Sequence, residues 1–294
     1  MNNTNKNYIF VNAFFNGFID KKDCIHIGFF ESILKNTKLN NFEITNDLNK
    51  ANILLESCFG NSICQTKKWD KKIFFLGESW NIDLNNYDII IKSSYTSGRT
   101  IDLPLCVYYI HNNNFLNSLI YRSPISIVPS KFCGFCVSNA NSQPRNHMFK
   151  ILNSYKKVDS LGRYNNNVGY NIEYPYWSEE YRDYLKQYKF IICFENSKYD
   201  TYVTEKIINA QLVKSIPIYW GTTHVKNIFY ENSIIYLENE NSEESYMDVL
   251  KKVIELDQDD SKYLEFINRP ILKQQYFQEN YSLDVISRKI NNLL

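Results

Sequence analysis

The sequence predicts an α/β protein with two domains. Short apolar segments that are typical of strands alternate with polar, helix-compatible stretches, which is the pattern of α/β folds. The alternation begins in the first half of the chain and begins again at residue 126. The length of 294 residues also exceeds the usual size of one compact core. We therefore expect a first domain over residues 1–127 and a second domain over residues 128–294.

The first domain contains four candidate strands. Each is a short apolar run, and in chain order they are YIFVNAFF, NILLES, KIFFLGES and YDIIIKSS. The polar stretches that separate them are compatible with helices. The run of asparagines at residues 112–114 is typical of a surface loop.

The second domain is predicted to begin with a strand within Ser126–Asn139, followed by helices near Pro144–Tyr155 and Ser178–Gln187. The nearly continuous apolar run Lys189–Phe194 is typical of a strand that is covered on both faces. The last section, Ser242–Leu294, is rich in charged residues and has apolar positions at helical spacing. It is predicted to be helical, with a last helix that can pack back on the first domain.

Composition excludes several classes of protein. Hydrophobic residues make up 44% and charged residues 22% of the chain, which is typical of a globular protein. The net charge of +1 indicates neither a nucleic-acid-binding surface nor a polybasic membrane-binding surface. No apolar run approaches the ~20 residues that span a bilayer, and Met1–Asn7 lacks a signal-peptide pattern. Seven cysteines favour reduced thiols, so we expect a soluble, cytoplasmic protein.

The segment Phe190–Gly221 is predicted to fold as a strand, a helix and a second strand. Thr204 is a suitable N-cap for the helix, and SIPIYWG returns as the second strand. A right-handed βαβ unit leaves its loop and its helix N-terminus at the carboxyl edge of the sheet. Open α/β folds bind ligands at that edge.

Glu205 and Lys206 fall on the first turn of this helix. Free backbone N–H groups there favour a phosphate, and Lys206 adds a positive charge. Glu205 can accept two hydrogen bonds from the vicinal hydroxyls of a ribose. Together they indicate a nucleotide site, although an acidic residue that complements the helix dipole and a solvated lysine would give the same pattern.

The same stretch resembles the signature of the α1,3/α1,4-fucosyltransferases, glycosyltransferase family 10. FEN at residues 194–196 is followed by YVTEK at residues 202–206, and the similarity continues through IPIYWG. It covers about thirty residues without a gap, which makes it far more specific than a lone glycine motif. The resemblance implies the GT-B fold, in which two Rossmann-like domains face each other across a cleft. It also implies GDP-fucose as the donor, with Asn196 and Tyr202 in contact with it.

A second similarity lies upstream, in VSNANSQPRNHMFKILNSYKKVDSLG. Ser138, Asn139 and Arg145 match the family's serine and asparagine at a strand end and the arginine that opens the next helix. The resemblance implies that all three belong to the donor site and that Arg145 contacts the diphosphate. A guanidinium group can bind phosphate oxygens through two parallel hydrogen bonds, which agrees with that role.

A third similarity concerns the acceptor side. In KKIFFLGESWNIDLNNYDIIIKSSY, Glu78 matches the family's glycine-glutamate at a strand end. The resemblance implies that Glu78 is the general base, and partial burial between Phe75 and Trp80 would raise its pKa toward a useful value. The alternative is that Glu78 caps a turn.

The resemblance as a whole implies an inverting transferase that moves fucose from GDP-fucose to a hydroxyl of an acceptor glycan, with GlcNAc as the expected acceptor and an α1,3 linkage as the expected bond. It implies no metal, because side chains and helix dipoles stabilise the diphosphate charge in GT-B enzymes. The chain is closer to the short soluble bacterial or viral relatives, and the resemblance in residues 1–70 is weak, which leaves the acceptor open. Two alternatives are a transferase of another GDP-linked sugar and an inactive nucleotide- or carbohydrate-binding module.

Overall fold

The computed structural model describes residues 6–19, 26–95 and 98–294. The first five residues of the expected first domain lie outside the described residues. The chain forms two compact units, of which one comprises Met1–Asn114 together with Gln275–Leu294, and the other comprises Phe115–Gln274.

Both units contain strands and helices in alternation along the chain. The strands are β1 (Asn7–Asn12), β2 (Phe42–Ile44), β3 (Ile53–Glu56), β4 (Lys71–Leu76), β5 (Ile89–Lys92), β6 (Thr100–Asp102), β7 (Lys131–Phe135), β8 (Val158–Ser160), β9 (Tyr188–Phe194), β10 (Ile216–Trp220) and β11 (Ile235–Tyr236). The helices are α1 (Gly28–Lys35), α2 (Leu105–Asn112), α3 (Leu116–Ile120), α4 (Gln143–Tyr155), α5 (Glu179–Leu185), α6 (Glu205–Leu212), α7 (Val225–Ile228), α8 (Glu243–Gln258), α9 (Asp260–Ile267), α10 (Gln274–Tyr281) and α11 (Leu283–Asn291).

The sheet of the first unit has the order β2-β1-β3-β4-β5-β6, and every pair of neighbouring strands is parallel. The four strands expected from apolar runs are confirmed as β1, β3, β4 and β5. All four residues of β3 are buried, as expected for a strand covered on both faces. The short edge strand β2 and the three-residue β6 were missed, because their sequences, FEI and TID, carry too few apolar residues to form a pattern.

The sheet of the second unit has the order β11-β10-β9-β7-β8 and is also entirely parallel. The helices expected near residues 144–155 and 178–187 are confirmed as α4 and α5. The central strand β9 is the expected apolar run, and its residues Phe190, Ile192 and Phe194 are almost completely buried. Helices α8 and α9 cover one face of the core with apolar side chains such as Val253 and Tyr263.

The first unit ends at Asn114, not at residue 127, and it includes the end of the chain. Helix α3 contacts α6 of the second unit, so the residues that follow Asn114 belong there. Helix α11 contacts α1, and the Ser287 hydroxyl donates a hydrogen bond to the carbonyl of Ile33 at 2.8 Å. The apolar side chains of α11 are thereby buried in the first unit.

Three further properties concern the part of the chain that the structure describes. Its six cysteines are all free thiols, and burial raises the pKa of the Cys133 thiol. None of its helices has the length and apolar character that crossing a membrane requires. Within residues 6–19, 26–95 and 98–294 no group of three or more His, Cys, Asp or Glu side chains is placed to hold a metal ion.

Two buried histidines are expected to make the fold sensitive to acid. His26 and His224 are 1% and 6% exposed, and burial lowers the pKa of each from 6.5 to about 4. Above pH 6.5 both are neutral in the folded and the unfolded chain. Between pH 6.5 and pH 4 the unfolded chain binds protons that the folded chain does not, so stability falls as the pH falls.

Each histidine is expected to lower the free energy of unfolding by roughly 2 kcal/mol at pH 5 relative to pH 7. Chemical denaturation at the two pH values measures this loss. His26→Gln and His224→Gln should each reduce it, whereas His147→Gln, at a side chain that is 43% exposed, is the control. An acid-induced loss that both variants leave unchanged would contradict the expectation.

Candidate nucleotide-binding site

A cavity of about 610 Å³ lies in the second unit, at the carboxyl ends of β7 and β9. The connections run in opposite directions from these two strands, since β8 lies beyond β7 and β10 lies beyond β9. Open α/β sheets bind ligands in the crevice at such a switch point. The lining includes Ser138, Asn139, Arg163, Asn196, Glu205 and Lys206.

The first turn of α6 carries Glu205 and Lys206 to the cavity wall. Thr204 has extended backbone geometry, and its side chain accepts a hydrogen bond from the backbone N–H of Lys206 at 3.5 Å. This N-cap starts the helix at Glu205, as the sequence predicts. The two side chains are 17% and 19% exposed. A carboxylate and an ammonium group therefore stand beside the helix N-terminus, where a phosphate and a ribose can both be bound.

Glu195 lies behind this turn and is completely buried. Its Oε1 accepts hydrogen bonds from the backbone N–H of Thr204 at 2.8 Å and from the Tyr219 hydroxyl at 3.3 Å. Its Oε2 accepts from the Thr204 hydroxyl at 2.8 Å and from Lys206 Nζ at 3.2 Å. One carboxylate thus holds both the helix N-cap and the lysine. Sequence analysis assigned Glu195 no role of its own, although an acidic residue directly after a buried strand was a usable signal.

Burial and the neighbouring charge have opposite effects on the pKa values of Glu195 and Lys206. Burial raises the pKa of Glu195, and the nearby Lys206 ammonium opposes the rise. Burial acts to lower the pKa of Lys206, but the Glu195 and Glu205 carboxylates outweigh it and raise that pKa. The lysine therefore keeps its proton, and a positive charge faces the cavity at neutral pH.

Gly221 is the last residue of the family signature, and no larger residue fits at this position. A Cβ atom at this position would lie 2.7 Å from the Tyr219 hydroxyl oxygen and 2.9 Å from Glu195 Cγ. Both distances are shorter than real Cβ contacts. The glycine therefore lets β10 pass close to the Glu195 carboxylate.

Arg145 is buried at the start of α4, and its guanidinium group does not line the cavity. Its Nη1 donates hydrogen bonds to Asn196 Oδ1 at 3.0 Å and to the Phe194 carbonyl at 3.5 Å, and its Nη2 donates to the Asn139 carbonyl. In this structure it joins the loop after β7 to the loop after β9. Its Nε has no hydrogen-bond partner among the described residues, and the expected diphosphate contact stays a prediction.

The other expected donor residues divide between the cavity and the core. Ser138, Asn139 and Asn196 line the cavity, in the loops that follow the central strands β7 and β9. Tyr202 is only 2% exposed and is not a lining residue. Its backbone N–H donates to the Tyr199 carbonyl at 2.8 Å, within the loop that precedes α6.

Arg163 is a cavity residue that sequence analysis missed. It follows Gly162, where a Cβ atom would lie 2.1 Å from the Val137 carbonyl oxygen. This close approach brings the loop after β8 onto the loop after β7 and puts the exposed Arg163 side chain on the cavity wall. The same loop continues with Tyr174 and Tyr176, which also line the cavity. The usable signal was a glycine and an arginine directly after a short strand.

Glu78 belongs to the first unit and follows β4. Its side chain is partly exposed, and of the two aromatic residues near it in the sequence Phe75 is 6% and Trp80 is 50% exposed. Burial raises the pKa of the Cys58 thiol, and the charge of Glu78 adds to the rise. The carboxylate therefore lies near the loop that follows β3.

The structure defines an α/β protein with two parallel sheets and a cavity at the switch point of its second sheet. Its fold is similar to that of an α1,3-fucosyltransferase solved with GDP, with a TM-score of 0.73 and 21% identity over 100% of this chain and 92% of that chain. The same enzyme type solved with GDP-fucose gives a TM-score of 0.69 and 22% identity over 98% and 90% of the two chains. This likeness confirms the expected GT-B fold class.

The profile described as "Glycosyltransferase family 10 (fucosyltransferase) C-term" matches residues 129–283, which is more than half of the chain. The chain therefore belongs to glycosyltransferase family 10. It is 28% identical to the "Putative fucosyltransferase R654" of Acanthamoeba polyphaga mimivirus over 242 residues, 75% of this chain and 38% of that protein. It is 33% identical to the "Alpha-(1,3)-fucosyltransferase FucT" of Helicobacter pylori over 159 residues, 53% of this chain and 31% of that protein. The matches thus span about a third of the length of these two relatives.

The buried pair of Glu195 and Lys206 leads to a stability prediction. Lys206→Met would leave the Glu195 carboxylate buried without its cation, so we expect a loss of roughly 3 kcal/mol in the free energy of unfolding. Glu195→Gln combined with Lys206→Met removes both charges and should recover part of the loss. Urea denaturation of the unchanged protein, Lys206→Met and the double variant measures the three free energies of unfolding.

The more exposed pair of Lys198 and Glu240 provides a matched control. Its side chains are 37% and 24% exposed, so Lys198→Met should change stability by less than about 1 kcal/mol. The interpretation of Glu195 as the anchor of Lys206 is wrong if Lys206→Met is as mild as Lys198→Met, or if the double variant is the least stable protein.

Proposed function

We propose that this protein is an inverting glycosyltransferase that moves fucose from GDP-fucose to a hydroxyl of an acceptor glycan, with GlcNAc fucosylated in an α1,3 linkage. The observation that carries the proposal is the buried Glu195 carboxylate, which holds Lys206 at the cavity of a family 10 sheet. The fucosyltransferase names of the relatives support it.

The donor is bound at the cavity of the second unit. Lys206 and the N-terminus of α6 neutralise the diphosphate, and Glu205 accepts hydrogen bonds from the ribose hydroxyls. Arg163 supplies a second, exposed cation on the same wall. Ser138, Asn139 and Asn196 provide polar contacts at the strand ends.

Arg145 and Tyr202 act on the donor through the residues that they position. The Arg145 guanidinium holds Asn139 and Asn196 together from behind, which keeps two lining residues in register. Tyr202 is a buried residue of the loop that leads into the N-cap at Thr204. Both roles provide preorganisation, which lowers the entropy lost on binding.

Transfer is a single displacement. The acceptor hydroxyl gives its proton to Glu78 while its oxygen forms a bond to C1 of fucose, from the face opposite GDP. The bond between C1 and the phosphate oxygen breaks, and the electron pair leaves with GDP. The positive charges of Lys206 and Arg163 stabilise the negative charge that grows on the leaving diphosphate. The reaction inverts the configuration at C1.

Nucleotide binding tests the donor site. GDP at 100 times its dissociation constant should stabilise the protein by about 2.7 kcal/mol in a thermal-shift assay, and UDP and CDP should be weaker. Arg163→Ala should weaken GDP binding roughly 10- to 100-fold, because a charge-assisted hydrogen bond is worth about 1.5–3 kcal/mol. Lys150→Ala, an exposed cation on α4, should leave the affinity unchanged.

The donor assignment has clear contrary outcomes. Tighter binding of UDP than of GDP would contradict a guanine nucleotide site. Equal turnover with GDP-mannose and GDP-fucose would favour transfer of another GDP-linked sugar. Equal GDP affinity of Arg163→Ala and the unchanged protein would remove Arg163 from the site.

Glu78→Gln tests the base. The amide cannot accept the hydroxyl proton, so we expect turnover with GDP-fucose to fall by about 10²- to 10⁴-fold. The dissociation constant for GDP should stay the same, because Glu78 does not line the donor cavity. Glu43→Gln, at a side chain that is 44% exposed in the first unit, is the control. Full turnover of Glu78→Gln would exclude Glu78 as the base and leave the donor site standing.

A further inference from the structure

The sheet of the first unit has its own switch point, between β1 and β3, and the loop after β3 is rigidly held there. The buried carboxylate of Glu56 accepts hydrogen bonds from the backbone N–H of Ile63 at 2.8 Å and from the Ser62 hydroxyl at 2.9 Å. Further donors to the same carboxylate are Asn12 and Tyr87. Residues 57–63, here called the β3 loop, thus follow Glu56 in the chain and return at Ser62 and Ile63 to bind its buried carboxylate.

Two large aromatic side chains project from this edge. Phe59 of the β3 loop is 46% exposed and Trp80, after β4, is 50% exposed. Their ring centroids are 5.8 Å apart and the ring planes meet at 62°. The backbone N–H of Phe59 donates to the Ala13 carbonyl at 2.8 Å, which fixes the ring's attachment point. The pair forms an apolar corner with a defined shape.

The corner lies beside the carboxylate that we assign as the base. Trp80 is two residues after Glu78, and Cys58, which precedes Phe59, is close enough to Glu78 for its charge to act on the thiol pKa. A ligand that packs against both rings is therefore brought to the edge of the sheet at which Glu78 lies. A hydroxyl of a sugar bound there would lie close to the carboxylate that accepts its proton.

The chemistry of the corner favours a sugar ring over other ligands. A pyranose has one apolar face of C–H groups, which packs on an aromatic ring, and a rim of hydroxyls, which stays in water or meets polar groups. Two exposed rings cover far less area than a stable protein interface requires. The inclined planes also leave no parallel slot for a flat nucleobase.

We propose that Phe59 and Trp80 form a subsite for a pyranose ring of the acceptor, one ring packing against its C–H face and the other against its edge. The inference rests on the proposed function for the role of Glu78. It places acceptor selection in the first unit, where Phe59 lies within residues 1–70, the part of the chain with weak resemblance to family 10.

Alanine variants at both rings test the subsite in the full chain. Trp80→Ala and Phe59→Ala should each raise the KM for N-acetyllactosamine by roughly tenfold or more, because truncation of a well-placed aromatic commonly weakens binding by that amount. The value of kcat and the dissociation constant for GDP should change little. Trp80→Phe should retain most of the affinity, and Tyr121→Ala, at an aromatic that is 74% exposed in the second unit, is the control.

A binding readout is independent of catalysis. Titration with N-acetyllactosamine and with the methyl β-glycosides of glucose, galactose and N-acetylglucosamine should produce saturable changes in tryptophan fluorescence, lost in Trp80→Phe. An unchanged acceptor KM in Trp80→Ala and Phe59→Ala, or no saturable change with any of these sugars, overturns the subsite. GDP binding and fucose transfer in the same preparations report on the proposed function, so the two ideas fail separately.

Discussion

One buried ion pair organises the cavity that we propose as the donor site. Glu195 and Lys206 come from different elements, the end of β9 and the start of α6, and meet at 3.2 Å. Removing two charges from water is expensive, and the pair is tolerated because every lone pair of the carboxylate finds a donor within the Thr204, Tyr219 and Lys206 set. The result is a lysine that stays protonated and points at a cavity. A substitution that shifted β9 relative to α6 would separate the two charged groups.

The parallel sheets explain why the functional residues collect at single edges. In a parallel sheet all carboxyl ends lie on one side, and the loops at the switch point separate to leave a crevice. The second unit uses that crevice for the cavity lined by Lys206 and Arg163. The first unit has the same strand order at β1 and β3, and its crevice carries Phe59 beside the loop of Glu78. Each crevice is stiffened by one buried acidic residue, Glu195 or Glu56.

The parts of the fold that were predictable from sequence are those with strong local signals. Strands with continuous apolar runs, such as β3 and β9, were recognised, and so were α4 and the N-cap at Thr204. The three-residue strands β2, β6 and β8 were not recognised, because three residues are too few to show the alternation of apolar and polar residues that is typical of a strand. The last helix was expected to pack back on the first domain, but its partner α1 lies about 250 positions away, and no local pattern identifies that partner.

The sequence by itself determined the chemical identity of the site: the family signature, the N-cap, and the placing of Glu205 and Lys206 on one helical turn. Sequence spacing is enough to predict these features, because helix geometry fixes the relative positions of residues that are close in the chain. Only the tertiary structure decided which arginine faces the cavity, since Arg145 and Arg163 differ in burial and not in chemistry. It alone brought Phe59 to Trp80, because neighbouring strands determine which distant residues meet at a sheet edge.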